Sequence, residues 1–179
     1  MSMISLQIDG LDALVKKFDT LSRESQSKVQ SALNAWADDT ATDAKMIASS
    51  NSGDTGYLMN SIKPVYGNGG ASVVVSAEYA PYVEFGTRKY ASSYVASLPS
   101  DWNQLASQFK GKSSTGGDFK KFVKILKEWA RRTGKLDEKY AYAAARKILR
   151  EGLKARPFLY PAVLKNLPQL EKDIKAALK

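Results

Sequence analysis

The sequence predicts an α+β protein, with helices near both ends, a few short strands between them and a helical hairpin in the second half. Three observations support this class. Apolar residues recur at helical spacing over roughly residues 11–49. A turn-forming segment near residue 70 separates two strand-like stretches. Two more helical patterns, joined by a Gly-containing turn, lie between residues 118 and 155.

The N-terminal part predicts a strand followed by a long helix. Residues 4–8 alternate apolar and polar side chains, and Asp9-Gly10 ends this alternation. The pattern that includes Leu33 and Trp36 then predicts an amphipathic helix over roughly 11–49, in one or two pieces.

A β-hairpin is predicted next. Residues 61–66 have the composition of a strand, and Gly67-Asn-Gly-Gly70 can turn tightly because Asn and Gly tolerate positive φ. Residues 71–77 give the strongest strand pattern in the chain.

A loop and a helical hairpin are predicted after the strands. Residues 88–117 are rich in Ser, Gly and Lys, which favours a long mobile loop. The first hairpin helix should end at Thr133-Gly134, and Asp137 should cap the second. The predicted apolar stripe of the second helix consists of Tyr140, Ala144 and Ile148, with Ala141, Ala145 and Leu149 beside it.

A last helix is predicted from the proline positions and the apolar spacing. Pro157 stops the preceding pattern, and Pro161 can occupy the first turn of a helix without losing a hydrogen bond. Apolar residues continue at helical spacing to Leu178, with a kink or restart expected at Pro168.

Composition argues against an enzyme. The 179 residues include no Cys and no His, which excludes thiolate zinc sites, cysteine nucleophiles, Ser-His-Asp triads and imidazole metal sites. The acidic group Asp38, Asp39 and Asp43 is interpreted as a solvated helix face. Carboxylate or Lys chemistry remains possible, so an enzyme with carboxylate chemistry is a third hypothesis, but we predict a non-enzymatic protein with no catalytic residue, no cofactor and no metal.

The sequence offers no membrane or export signal. Residues 1–10 lack a basic start followed by an apolar core, and no apolar run approaches the ~20 residues of a membrane span. We expect no membrane partner, and a protein that stays in a cytoplasm unless an assembly carries it out.

Positive charge is concentrated in one segment. Residues 118–156 have a net charge of +8, whereas residues 1–117 have a net charge of −1. This favours contact with nucleic acid or an acidic protein surface, although a solvated Lys-rich hairpin has the same composition. The predicted contact residues are Arg131, Arg132, Lys139, Arg146, Lys147, Arg150 and Lys154.

The hairpin also supplies the alternative function. Two helices joined by a short Gly-containing turn loosely resemble a helix-turn-helix, so a DNA-binding protein is the second hypothesis. Against sequence-specific binding, the second helix begins Asp137-Glu-Lys-Tyr140, which lacks the usual base-reading side chains.

Two motifs indicate architecture rather than chemistry, namely Tyr79-Ala-Pro-Tyr-Val-Glu-Phe-Gly-Thr87 and Arg156-Pro-Phe-Leu-Tyr-Pro-Ala162. Two more precede them, Gly10-Leu-x-x-Leu14 and Asp54-Thr-Gly-x-Leu-x-x-Ser-Ile62. In this order the four motifs resemble the tail-completion, or neck, proteins of long-tailed bacteriophages and prophages. The resemblance covers residues ~10–87 and ~156–178.

The resemblance implies a structural protein of the head–tail junction, where such proteins are called tail-completion, neck, head–tail joining or tail-terminator proteins. It implies a small antiparallel sheet packed by a long N-terminal helix and a C-terminal helix. It further implies a homo-oligomeric ring through which DNA passes, with the head connector and tail tube proteins as partners. The expected location is the virion, and the host cytoplasm during assembly.

The resemblance also suggests a domain division. Residues 1–87 and 156–179 would form the core domain, and residues 88–155 an insertion with a mobile loop (88–117) and the basic hairpin (118–155). Large aromatic side chains in the motifs could anchor neighbouring subunits or close the core of the monomer. The predicted interface residues are Tyr79, Tyr82, Glu84, Phe85, Gly86, Thr87, Arg156, Pro157 and Phe158.

Overall fold

The computed structural model describes residues 4–6, 22–52, 56–108 and 119–178. The chain divides into two compact units, which are described separately. Unit 1 comprises Met1–Ala80 and Pro157–Lys179, and unit 2 comprises Pro81–Arg156. That these units correspond to the predicted core domain and insertion stays a prediction.

The described elements follow one another in chain order. They are β1 (Ile4–Leu6), α1 (Arg23–Ser52), α2 (Tyr57–Ser61), β2 (Ile62–Gly67), β3 (Gly70–Val75), α3 (Ala80–Phe85), α4 (Arg88–Ala96), α5 (Ser100–Ser107), α6 (Phe119–Thr133), a 3-10 turn (Glu138–Tyr140), α7 (Ala141–Glu151) and α8 (Leu159–Ala177). None of these helices is long and apolar enough to cross a membrane.

Unit 1 contains a three-stranded antiparallel sheet in the order β1-β3-β2. The predicted hairpin is present, with Ile62 opposite Val75 and Gly67 opposite Gly70. Val73 and Val75 are completely buried, because alternate side chains of a strand point to the same face. The α+β fold class is therefore confirmed.

Helix α1 is the centre of unit 1, because it packs against α8 and against strands β2 and β3. Its inner face carries small side chains at helical spacing, including Ala37, Ala41, Ala44 and Ala48, which are all buried. Such residues let neighbouring elements approach closely. The predicted sheet packed by a long helix and a C-terminal helix is confirmed. The part of the predicted long helix before residue 22 lies outside the described residues.

Helix α8 begins after the turn at Pro157 and continues without a restart through Pro168. Leu159 and Ala162 are completely buried in its first turns, so the predicted closing helix is present.

The predicted helical hairpin is present in unit 2. Helix α6 ends at Thr133, and Gly134 follows with a φ of +64°, donating its backbone N–H to the Ala130 oxygen at 2.9 Å. Asp137 caps the next turn, since its carboxylate accepts the backbone N–H of Lys139 at 3.0 Å. Both turn predictions are confirmed.

The absence of regular structure predicted over residues 88–117 is wrong for its first part, which forms α4 and α5. The serines responsible for that prediction are accommodated inside α4, since the Ser92 hydroxyl donates to the Arg88 oxygen and the Ser93 hydroxyl to the Tyr90 oxygen. In α5, Trp102 and Ala106 are buried four residues apart. Residues 109–118 lie outside the described part.

Two side chains differ from their predicted environments. Tyr140 is 54% exposed and belongs to the 3-10 turn, and the buried residues of α7 are Ala141 and Ala145, which were predicted to lie beside the stripe. Asp43 is 6% exposed and does not belong to a solvated face.

Candidate functional site

The two segments that flank the hairpin region of unit 2 are hydrogen-bonded to each other. The backbone N–H of Thr87 donates to the Leu153 oxygen at 2.9 Å, and the Leu153 N–H donates to the Thr87 hydroxyl at 2.7 Å. The Arg156 N–H donates to the Val83 oxygen at 2.8 Å. The end of the first aromatic motif therefore lies beside the start of the Arg-Pro-Phe motif.

Two glycines allow this close approach. Gly86 has a φ of +73°, and a Cβ there would lie 2.8 Å from the Leu153 oxygen and the Ala155 nitrogen. Gly152 has a φ of +92°, and a Cβ there would overlap the Thr87 carbonyl. Only glycine fits both the backbone conformation and the space. Sequence reasoning missed this contact of Gly152 with Thr87.

The predicted interface residues fall into two groups by exposure. Glu84 and Phe158 are completely buried, Gly86 is buried, and Phe85 is 4% exposed and lies 6.4 Å from Trp102 between ring centroids. These side chains are already enclosed within the chain, as the core-closing alternative expects.

The other predicted interface residues retain accessible surface. Tyr79 is 42% exposed and forms an aromatic pair with Tyr57, at 6.0 Å between ring centroids. Arg156 is exposed, and the half-buried members are Tyr82, Thr87 and Pro157. Tyr57 was not predicted, and its signal is an aromatic residue directly after the Asp54-Thr-Gly turn.

Some of the predicted hairpin cations are neutralised within the hairpin. Arg131 donates two hydrogen bonds of 2.8 Å to the Glu138 carboxylate, and these bonds lower the pKa of Glu138. Lys139 lies 2.8 Å from the Asp137 carboxylate. These pairs are exposed, so they orient the side chains more than they stabilise the fold.

Two more predicted cations have neighbours within unit 2. Arg150 lies 2.9 Å from the Glu151 carboxylate. Lys154 lies 5.9 Å from the centre of the Tyr90 ring, within range of a cation–π contact.

Arg146 and Lys147 differ from these cations. Both are exposed on α7, and within the described part of the chain neither forms an ion pair with a carboxylate. They lie on the side of the helix opposite Ala141 and Ala145, which are buried. Lys147 still acts at longer range on Glu151, whose pKa is lowered first by its hydrogen bond with Arg150 and in smaller part by the charges of Lys89 and Lys147.

An open groove surrounds these two cations. Its lining residues are Phe119, Tyr142, Ala143, Arg146, Lys147, Leu149 and Arg150. The ring of Tyr142, which is 54% exposed, meets Phe119 edge-on at 5.3 Å. Sequence reasoning missed this aromatic pair, although Tyr142, Arg146 and Leu149 recur at helical spacing.

The described residues contain no group of three or more acidic side chains arranged to hold a metal ion. The two features with distinctive geometry are thus the glycine-dependent contact between the two motifs and the cationic outer face of α7.

Comparison with known proteins gives one match. Residues 12–86 match the family described as "Bacteriophage HK97-gp10, putative tail-component". Searches of curated proteins and of solved structures found no match to the chain. The matched range includes the Asp54–Ile62 motif and nearly all of the Tyr79–Thr87 motif, but ends before the hairpin. Over residues 12–86, less than half of its length, the chain is similar to this phage tail-component family, in agreement with the resemblance of its motifs to phage tail proteins.

Proposed function

We propose that the protein is a structural component of the phage head–tail junction, a tail-completion, neck or tail-terminator protein. In this proposal copies of the chain form a ring through which DNA passes. The observation that carries it is the similarity of residues 12–86 to a phage tail component. The order of the four motifs supports the more specific position at the junction.

The surface of unit 1 is compatible with self-assembly. Tyr57 and Tyr79 are 56% and 42% exposed, and they form one aromatic patch. Tyrosines are enriched at protein interfaces because they combine a large apolar area with a polar tip. A closed ring requires two different, complementary patches on each subunit, and this pair is our candidate for one of them.

The proposal assigns a non-enzymatic role and three kinds of partner. These are other copies of the chain, the head connector and the tail tube proteins. The complete assembly would be part of the virion and would form in the host cytoplasm. The similarity of residues 12–86 to a phage tail component supports the structural role in the tail.

A nonsense codon early in the gene tests the proposal in the phage. We expect DNA-filled heads and full-length tails that are not joined, visible by electron microscopy of the lysate. Purified protein added to this lysate should restore infectious particles. Normal virions, or a complete absence of tails, would contradict a role in joining.

A matched pair of variants tests the aromatic patch. Tyr57→Ala combined with Tyr79→Ala should abolish complementation, because the patch would lose most of its apolar area. Tyr140→Ala removes a tyrosine of similar exposure, 54%, from unit 2 and should complement normally. Equal thermal unfolding of all variants would show that assembly, and not folding, has changed.

A further inference from the structure

The positive charge of the protein belongs entirely to unit 2. Residues 81–156 contain seventeen Lys and Arg against seven Asp and Glu, a net charge of +10, whereas the residues of unit 1 have a net charge of −1. Because the protein as a whole has a net charge of +9, unit 1 adds no positive charge. A basic excess in one unit indicates a negatively charged partner for that unit.

We propose that the outer face of α7 binds the phosphate backbone of double-stranded DNA through Arg146 and Lys147, with the Tyr142 hydroxyl as an additional donor. The inference deepens the proposed function, since it names the molecule that the hairpin contacts. It rests on that function for the presence of duplex DNA in the ring.

Arg146 and Lys147 differ from other cations of the hairpin in whether they form ion pairs. Arg131, Lys139 and Arg150 each have a carboxylate neighbour within 2.9 Å. In the described part of the chain neither Arg146 nor Lys147 forms an ion pair, although Lys147 attracts Glu151 at longer range, so a phosphate can bind them without breaking an existing ion pair. Binding of a phosphate would release counterions from the DNA, which favours association at low salt.

The chemistry of the face favours DNA over an acidic protein. The cores of protein–protein interfaces are depleted of charged residues and enriched in apolar contacts. Here the exposed apolar residues, Tyr142 and Leu149, are interleaved with Arg146, Lys147 and Arg150 on the same helix. Arg150 lies one helical turn beyond Arg146 and Lys147, roughly 5.4 Å along the axis, so the three cations form a short cluster on α7. The phosphates of the DNA backbone carry the opposite charge.

The second helix of the hairpin is not suited to reading sequence. The Tyr142 ring is held edge-on against Phe119, and besides Tyr142 the polar side chains that line the groove are Arg146, Lys147 and Arg150. Side chains that bind only phosphates fix position and carry no sequence information. We therefore expect similar affinity for duplexes of unrelated sequence.

A salt titration with the full-length protein tests the assignment. The probe is a fluorescently labelled 30-base-pair duplex, and its anisotropy is measured between 50 and 200 mM salt. Arg146→Gln combined with Lys147→Gln should reduce the steepness of log K against log salt by about 1–2, because two phosphate contacts are lost. The affinity at 50 mM salt should fall about tenfold or more.

The matched control is Lys172→Gln combined with Lys175→Gln, on α8 of unit 1. This variant removes the same total charge from a different unit. It should change the slope of log K against log salt by less than half as much as the Arg146/Lys147 variant does. Equal effects of the two double variants, or no binding of the wild-type protein at 50 mM salt, would overturn the proposal. Polyglutamate that displaces the protein from DNA at an equal concentration of negative charge would also overturn it, in favour of an acidic protein partner.

Failure of this proposal can be distinguished from failure of the proposed function. Ring formation and the joining of heads to tails are measured without the labelled duplex. A protein that forms rings and complements the mutant phage but shows no slope change in the Arg146/Lys147 variant refutes only the DNA contact.

Discussion

Asp43 is the buried carboxylate that connects the two main helices of unit 1. Its oxygens accept hydrogen bonds from the Lys165 ammonium at 2.7 Å and from the Asn166 amide at 2.8 Å, both on α8. The hydrogen bond from Lys165 is the largest cause that lowers the pKa of Asp43 below its ordinary value, followed by that from Asn166. A buried charge with two such partners fixes the register between α1 and α8.

Asp43→Asn should destabilise unit 1 at pH 7 by about 1–3 kcal/mol, because a charged acceptor is lost. In the wild-type protein the folded pKa lies below the unfolded value of about 3.9. The unfolded chain therefore binds the proton more readily, so this stabilisation is complete above about pH 5 and is lost as pH falls through the folded pKa. Urea unfolding at several pH values measures this pH-dependent stabilisation.

The control for this prediction is Asp39→Asn, on the exposed side of the same helix. It should change the free energy of unfolding by less than about 0.5 kcal/mol. A deficit of the Asp43→Asn variant that does not decrease toward low pH would contradict the assigned cause.

Substitutions of Gly86 and Gly134 by alanine distinguish the cost of backbone strain from the cost of steric overlap. Both have positive φ, but a Cβ at Gly134 meets no atom within 4 Å, whereas one at Gly86 lies 2.8 Å from two backbone atoms. Gly134→Ala should therefore cost about 1–2 kcal/mol. Gly86→Ala should cost about 2–5 kcal/mol, because overlap is added to strain. Similar thermal unfolding of the two variants would refute the close contact.

At the scale of elements, the start of α8 depends on Phe158. Its side chain is completely buried directly before the helix, next to the buried Leu159. Phe158→Ala should destabilise the monomer by about 3–5 kcal/mol, because a large cavity would remain. Chemical denaturation measures this. A variant that unfolds almost normally but fails to assemble would instead assign Phe158 to a subunit interface.

The edge of the sheet gives a second prediction at this scale. The Ser76 N–H donates to the Ser61 oxygen, so by alternation Ile62, Pro64 and Tyr66 direct their backbone groups away from β3. Proline has no N–H to offer a further strand, which protects this edge from pairing. Pro64→Thr should make the free protein aggregate at lower concentration, measured by light scattering. Unchanged scattering would show that the edge is protected by other means.

The elements that the sequence predicted well are those with strong local signals. The Gly67–Gly70 turn and the Asp137 cap each depend on a few adjacent residues, and both are present. The helices α4 and α5 were missed because their serines bond to carbonyls within the helix, and because Trp102 and Ala106 bury only two side chains. The local sequence signals for α4 and α5 are weak, and packing within unit 2 determines that these helices form.

The candidate sites were only partly predictable for a similar reason. The cations of the hairpin are visible in the sequence, but which of them are neutralised depends on contacts such as Arg131 with Glu138, seven residues apart. The contact of Gly152 with Thr87 connects residues that are far apart in the chain, so no local pattern could indicate it.

At the scale of the whole molecule, two units with different charge are joined in one chain. Unit 1 contains most of the segment similar to a phage tail component, and unit 2 contains the entire positive excess. We interpret this as a division between assembly and contact with DNA. The division is consistent with the end of the family match at residue 86, before α4 begins.

Assembly into a ring at the end of the tail is tested most directly by the mass of the purified, nuclease-treated protein, alone and after addition of tail tubes. We expect a discrete ring whose mass is an integer multiple of the 19.6 kDa subunit, formed without DNA and bound at one end of the tube. Light scattering combined with size-exclusion chromatography would measure the mass, and electron microscopy of the tubes would show whether the ring is bound at one end. A protein that remains a 19.6 kDa monomer in both samples, with bare tube ends, would contradict assembly into a ring at the end of the tail.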